Sequence, residues 1–360
     1  MPPRIKQRLV QAYRILRGAE PPKATKRQNQ RPIPPISAEE VAEAKSFFPL
    51  EKYFIFGHAR SGTTMLARLI RLHPEVHCNY QAHFFTRAPL LESLVADEEV
   101  GAWLCRNSNR WNRGKDLSPV VLRAVVDFIL ERDARLEGKR IVGDKSPSSL
   151  LDGESVRLMH KVYPDARLIY IIRDGRDTVI SHRFQAFIDF PQHLTKEDLK
   201  IRADFAAQPE PFLAGERSIF TEQSLQRAAE GWVRNVGETE QLGKQLYNDR
   251  YISLRYEDLL DHPWEEMGKV WDFLGAVPAE ADLQPAFMAE VGQNPDADWQ
   301  QQKAKEIAQP LQGVAKGKQG TWREIFTPQD RKIFHGIAGE MLRLYGYQVD
   351  DETKESNISK

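Results

Sequence analysis

A loop able to cradle an oxyanion stands near the start of the chain: Gly57-His-Ala-Arg-Ser-Gly-Thr-Thr64. It has the length and glycine spacing of the Walker phosphate loop, but Thr63 occupies the place of that motif's lysine. The cation is Arg60, three residues earlier. The Walker lysine is the group that reaches the terminal phosphates of a nucleotide, so the exchange argues against ATP hydrolysis. Successive loop N–H groups and the positive end of a following helix still suit a phosphate or a related anion. An ordinary strand-turn-helix with a hydroxyl-rich helix start is the alternative.

The flanking residues supply the elements that hold such a loop. Tyr53 to Phe56 is a run of aromatic and β-branched residues closed by Gly57, and Leu66, Leu69, Ile70 and Leu72 recur at helical spacing. A strand, a tight loop and a helix are expected. Further on, Ala166 to Ile172 is a nearly continuous apolar strand that breaks at Arg173-Asp-Gly-Arg-Asp177 before a helix. Lys139-Arg-Ile-Val-Gly-Asp-Lys-Ser-Pro147 reads as a short strand ending in a charged turn. A lysine at such a strand end, Lys145, faces the ligand crevice of an open α/β sheet, or else lies in a surface turn.

Five segments between residues 53 and 323, in the expected order, resemble the sulfotransferases that use 3′-phosphoadenosine 5′-phosphosulfate (PAPS), in particular the bacterial and tyrosylprotein branch. They are R-S-G-T-T at Arg60, G-D-K-S-P around Lys145, R-D-G-R-D-T-V-I-S at Arg173, R-Y-E-D-L at Arg255, and K-G-K-Q-G-T-W-R from Lys316. The resemblance implies a three-layer α/β sandwich with a central parallel sheet, related to P-loop NTPases. It also implies in-line transfer of a sulfuryl group to a hydroxyl or amine, with no metal. Arg60, Ser61, Gly62, Thr63 and Thr64 would hold the 5′-phosphosulfate, and Lys145 would stabilise charge near the bridging oxygen. Arg173 and Ser181 would hold the 3′-phosphate, and Lys316, Gly317 and Lys318 would close over the nucleotide. Tyr256 would approach the adenine or pack in the core. Many relatives carry an arginine before the lysine of the closing segment; here that residue is Ala315.

The acceptor proton needs a base. Relatives commonly place a glutamate where this chain has Gln81, which takes no proton at neutral pH. His83 is the replacement candidate, since imidazole titrates near neutrality; a packed, hydrogen-bonded histidine is the alternative. Two other readings compete with sulfotransfer: a magnesium-dependent P-loop kinase or phosphotransferase, and a nucleotide-binding scaffold without catalysis, which Gln81 favours.

At 360 residues and 41% hydrophobic content the chain can bury a substantial core. The 51 basic and 51 acidic residues balance, which removes the global basic field of a nucleic-acid binder. Only Cys78 and Cys105 occur, without disulfide or metal spacing, so a reducing compartment is expected. Residues 1–46 read as a basic extension and linker, 47–350 as the catalytic domain and 351–360 as a disordered tail. Ile5, Leu9, Tyr13 and Leu16 line one face of a basic helix over residues 1–17, suited to an anionic membrane surface or to packing on its own domain. Golgi sulfotransferases often carry an apolar anchor; its absence predicts a cytoplasmic enzyme, with peripheral contact at the inner membrane face.

Helical content is expected over residues 87–136, with Val121, Leu122, Val125, Phe128 and Ile129 as the buried stripe and with Trp103 and Trp111 as packing residues. Residues 184–220 lose periodicity and read as an acceptor-binding lid, and 276–315 as a polar, mobile stretch. A small molecule, carbohydrate, lipid or peptide fits as acceptor, and oligomeric state is not legible.

Overall fold

The computed structural model describes residues 31–87, 90–106, 108, 110–148, 153–293, 307, 309–313 and 318–349. The expected amphipathic helix at 1–17, Lys316, Gly317 and the tail at 351–360 lie outside the described residues. The chain divides into two compact units, residues 1–34 with 92–118 and residues 35–91 with 119–360.

The larger unit is built on five parallel strands: β1 (Glu51–Gly57), β2 (Val76–Tyr80), β3 (Ile141–Lys145), β4 (Arg167–Ile172) and β5 (Tyr251–Arg255). Their order across the sheet is β2-β3-β1-β4-β5. β1 leads outward to β2, the chain returns through β3, and β4 then adds on the opposite side of β1. Strand order therefore reverses between β1 and β4, the position where open α/β sheets bind ligands at their carboxyl ends. Register aligns those ends: Tyr80 pairs with Lys145, Lys145 with Ile55, Gly57 with Ile171, and Ile172 with Arg255.

β1 is buried on both faces, which explains its uninterrupted apolar sequence. Tyr53 and Ile55 join a layer containing Leu66, Leu69 and Ile70 of helix Thr63–Ile70 and Met267, Val270, Trp271 and Leu274 of helix Pro263–Leu274. Phe54 points the other way, with ring centroids 5.1 Å from Tyr163 and 5.6 Å from Phe85. On that face Tyr170 of β4 donates to Asn235 Oδ1 at 2.6 Å, within the long helix Glu222–Tyr247. Helices on both faces of a parallel sheet make the three-layer α/β architecture expected from sequence.

Three local expectations change. Helix Ser118–Leu136 buries Leu122, Val126, Leu130 and Ala134, whereas Phe128 and Ile129 are exposed. Arg123, Asp127 and Glu131 share the buried side, because Lys52 lies 2.6 Å from Glu131 and 3.4 Å from Asp127, and Arg123 lies 2.6 Å from Asp165. Paired charges thus occupy positions that an apolar count assigns to the surface.

Residues 184–220 are largely helical, within Gly175–Asp189, Lys196–Ala207 and Glu210–Leu213, instead of an irregular lid. Their order comes from clustered rings: Phe184 and Phe205 are 5.5 Å apart, and Phe205 and Phe212 5.7 Å. In the expected polar stretch, Leu283–Val291 forms a helix that buries Phe287 against Trp264 and Trp271.

In the smaller unit, helix Glu98–Cys105 is capped by Asp97, whose carboxylate accepts from the N–H groups of Glu99 and Val100. Arg31 pairs with Asp116 at 2.6 Å. Trp103 and Trp111, read from sequence as packing residues, lie against each other at 4.9 Å between ring centroids and stay about half exposed, at 56% and 50%.

Candidate active site

The loop after β1 owes its shape to two residues with left-handed backbone, Arg60 (φ 76°) and Gly62 (φ 88°). A side chain at Gly62 is excluded twice over. Positive φ is costly for an L-residue, and a Cβ there would stand 2.1 Å from Tyr256 Cδ2. The ring of Tyr256 therefore lies directly against the loop glycine, at the start of helix Tyr256–Asp261. Thr63 and Thr64 open helix Thr63–Ile70, so the loop amides and the helix start face the same space.

Arg173, one residue beyond β4, closes the other side. Its Nη1 donates to the Arg60 carbonyl at 3.0 Å and its Nη2 to the Lys318 carbonyl at 3.1 Å, while the guanidinium sits 5.0 Å from the Tyr256 ring centroid. Arg60 Nε in turn donates to Ser181 Oγ at 3.1 Å, two turns into helix Gly175–Asp189. Arg60, Arg173, Ser181, Tyr256 and Lys318 are thus brought into one cluster from segments far apart in sequence. The side chain of Lys318 points elsewhere: its Nζ is 3.6 Å from Glu324 and 56% of the side chain is exposed.

Lys145 ends β3, buried to 1% exposure. Its ammonium donates to Thr64 Oγ1 at 3.3 Å and lies 5.1 Å from the Tyr80 ring centroid. Beside it, the loop of Gln81 to His83 is bonded along its backbone: Gln81 N–H donates to the Lys145 carbonyl at 2.8 Å, Ala82 N–H to Asp144 Oδ1 at 3.1 Å, and His83 N–H to Ser146 Oγ at 2.8 Å. The His83 ring bonds through Nδ1 to Thr86 Oγ1 at 2.9 Å. Burial, with the Arg87 and Lys145 cations, pulls the His83 imidazole down to about 4, so it is neutral at pH 7.

Polar residues that sequence reasoning passed over complete the site. Asp177, 2% exposed, accepts from Gly320 N–H at 2.7 Å and Trp322 N–H at 2.9 Å, fixing the Gly320–Trp322 turn onto helix Gly175–Asp189. Its only sequence signal was its place as the second aspartate of R-D-G-R-D. Burial pushes its carboxyl upward. His58 is buried, bonds through Nδ1 to the Ala59 carbonyl at 2.7 Å and lies edge-on to His182 at 5.9 Å. Burial pulls it down to about 4. Asp144, 1% exposed, is pushed up to about 6 by burial, against the bonds from Ser146 and Ala82.

Ser61 Oγ and Arg173 Nε are buried and meet no hydrogen-bond partner among the described residues. Two buried groups able to donate, one in the loop and one on Arg173, are thus left for an outside acceptor, and an anion is an acceptor of that kind. Among the described residues no His, Cys, Asp or Glu group has metal-site geometry.

Such a sheet, with a glycine-containing turn after its first strand and a second arginine turn across the reversal of strand order, is an α/β fold of P-loop-like architecture. The sequence model of the sulfotransferase family matches residues 53–279, well over half of the chain, and the chain belongs to that family.

Curated relatives include a protein-tyrosine sulfotransferase of Drosophila melanogaster, 26% identical over 61% of this chain and 37% of that protein. Protein-tyrosine sulfotransferase 2 of Gallus gallus is 29% identical over 62% and 50%. Protein-tyrosine sulfotransferase A of Caenorhabditis elegans is 30% identical over 61% and 49%. The chain spans half or less of the length of these relatives. Among solved structures, a mouse sulfotransferase, SULT7A1, complexed with PAP is 17% identical with a TM-score of 0.43, covering 85% of this chain and 90% of that one.

These relatives overturn the cytoplasmic, inner-face location expected from sequence. That expectation rested on finding no apolar segment in the sequence, and an absence of that kind assigns no compartment. No helix among the described residues is long and apolar enough to cross a membrane.

Proposed function

We propose that this chain transfers a sulfuryl group from PAPS to an acceptor hydroxyl by in-line displacement, releasing adenosine 3′,5′-bisphosphate (PAP). The observation that carries the reading is the bond from Arg173 to the backbone of the Arg60 loop across the β1/β4 reversal, which lets two phosphate-binding turns serve one nucleotide. In this reading Arg60, Ser61, Gly62, Thr63 and Thr64 hold the 5′-phosphosulfate, and Arg173 and Ser181 the 3′-phosphate. Tyr256 flanks the nucleotide, and Lys316, Gly317 and Lys318 belong to the segment that closes over it.

Charge develops on the transferring oxygens and on the leaving 5′-phosphate, and preorganised N–H groups and cations act on it. Lys145, beside Thr64, supplies a cation at the leaving group. His83 takes the acceptor proton. Its neutral ring favours that role, while its lowered basicity makes it a weaker base than an ordinary histidine. Residues 184–220, continuing the helix that carries Ser181, are the candidate acceptor wall.

The first acceptor to test is the phenolic hydroxyl of a peptide tyrosine, the group named in the curated relatives. Incubation of the full chain with labelled PAPS, in EDTA, against tyrosine peptides, phenols, sugars and lipid headgroups should yield a sulfated product by mass spectrometry. His83→Ala should lower turnover by about 100-fold or more, the usual weight of a general base. Full activity with an unchanged pH profile would remove His83 from the mechanism. Gln81 favours a second reading, a nucleotide-binding scaffold; tight PAP binding with no product across the whole panel would support it. Magnesium-dependent phosphoryl transfer from ATP would replace both with a kinase.

A further inference from the structure

Asp144 has no role in the chemistry described so far, yet it is an ionisable side chain that is 1% exposed one residue before Lys145. Its two oxygens are both engaged. Oδ1 accepts from Ala82 N–H at 3.1 Å, and Oδ2 accepts from the Ser146 hydroxyl. Ser146 Oγ then accepts from His83 N–H at 2.8 Å. With Gln81 N–H on the Lys145 carbonyl at 2.8 Å, three successive amides of one loop are received by three successive residues at the end of β3.

The loop needs that restraint. Gln81 and His83 both have left-handed backbone, φ 57° and 54°, and neither is glycine. Each such residue costs roughly 1–2 kcal/mol, so the conformation persists only where its surroundings over-determine it. The register shared by Tyr80 and Lys145 brings the loop to β3, but side-chain acceptors hold its second and third amides.

We propose that Asp144, with Ser146, is a positioning residue: it clamps the 81–83 loop so that the His83 side chain is presented beside the Lys145 ammonium. This rests on the reading of His83 and Lys145 as acceptor-side and leaving-group-side partners in sulfotransfer. The clamp works through hydrogen-bond acceptance, and the negative charge is not its essential property. An asparagine can keep both loop amides bonded, with one bond reversed: its Oδ1 accepts from Ala82, and its Nδ2 donates to Ser146 Oγ, whose remaining lone pair still accepts from His83 while the hydroxyl hydrogen gives up its carboxylate acceptor.

The test compares Asp144→Asn, Asp144→Leu and Ser146→Ala in the full chain by three measurements: PAP affinity, sulfate transfer from PAPS to a tyrosine-containing peptide, and hydrogen exchange of the peptide covering residues 80–87. Asp144→Leu and Ser146→Ala should lose about 10- to 100-fold in kcat, the scale of an ångström-sized misplacement, with PAP affinity unchanged. Residues 80–87 should exchange faster in both. Asp144→Asn should retain wild-type exchange and most of kcat. Because one chain of bonds is being cut, the Asp144→Leu, Ser146→Ala double variant should lose little more than the worse single one.

Wild-type exchange over residues 80–87 in Ser146→Ala and Asp144→Leu alike would overturn the clamp. So would equal loss of PAP affinity and kcat, which marks general damage, or failure of Asp144→Asn to rescue. If the wild type itself moves no sulfate to the peptide, the catalytic reading fails for that acceptor, and the exchange measurement still decides whether Asp144 holds the loop.

Discussion

Replacing Arg173 by lysine separates charge from geometry at the junction of the two arginine turns. The guanidinium spans two carbonyls, those of Arg60 at 3.0 Å and Lys318 at 3.1 Å, from separate nitrogens, with Tyr256 beneath it and only 6% of the residue exposed. A lysine keeps the cation but has a single nitrogen, which cannot reproduce a planar fork. In the complex at least one charge-assisted bond to a phosphate oxygen is lost. At about 1.5–3 kcal/mol per such bond, PAP should bind roughly 10- to 150-fold more weakly. Isothermal titration with PAP reads this directly, and a melting curve of each protein checks that the fold persists. Arg173→Met, which removes the charge as well, should bind more weakly than Arg173→Lys. If Arg173→Lys bound PAP within about twofold of wild type, the fork would have no part in nucleotide binding and the convergence of the two turns would be incidental.

Gly62→Ala should destabilise the protein by at least about 1–2 kcal/mol in thermal unfolding, since positive φ is imposed on alanine, and should abolish PAP binding because the new Cβ displaces Tyr256. Asp177→Asn turns an acceptor toward the two N–H groups of Gly320 and Trp322 into part donor; about tenfold weaker PAP binding with a near-normal melting temperature is expected in titration. The pH dependence of stability carries a signature of His58. Its folded value near 4 lies below the ordinary 6.5, so the unfolded chain binds the extra proton between those values. Stability present above pH 6.5 is lost as pH falls toward 4, by an amount on the order of 3 kcal/mol for this buried ring. His58→Asn should flatten that slope in urea unfolding at pH 4.5 and 7. Asp144, raised to about 6, acts with opposite sign between 3.8 and 6, so Asp144→Asn should steepen the loss on acidification.

What the amino-acid sequence determined by itself was local. Apolar runs at β1 and β4, the hydroxyl-rich turn after Gly57 and the arginine turn after Ile172 are written in contiguous residues, because a strand buried on both faces and a left-handed loop each demand particular residue types on the spot. The order of five such segments was enough to place the chain in its family. The tertiary structure decided which of them meet. Arg60 and Ser181 bond across 121 positions, and Arg173 and Lys318 across 145, because strand order reverses between β1 and β4, and no local pattern encodes that reversal. Apolar periodicity also misjudged helix Ser118–Leu136, whose buried side holds Arg123, Asp127 and Glu131, and residues 184–220, whose helices are held by scattered phenylalanines. Asp144, Asp177 and His58 were overlooked for one reason. A buried polar side chain is tolerated only where distant partners satisfy it, and those partners become neighbours only once the sheet has formed.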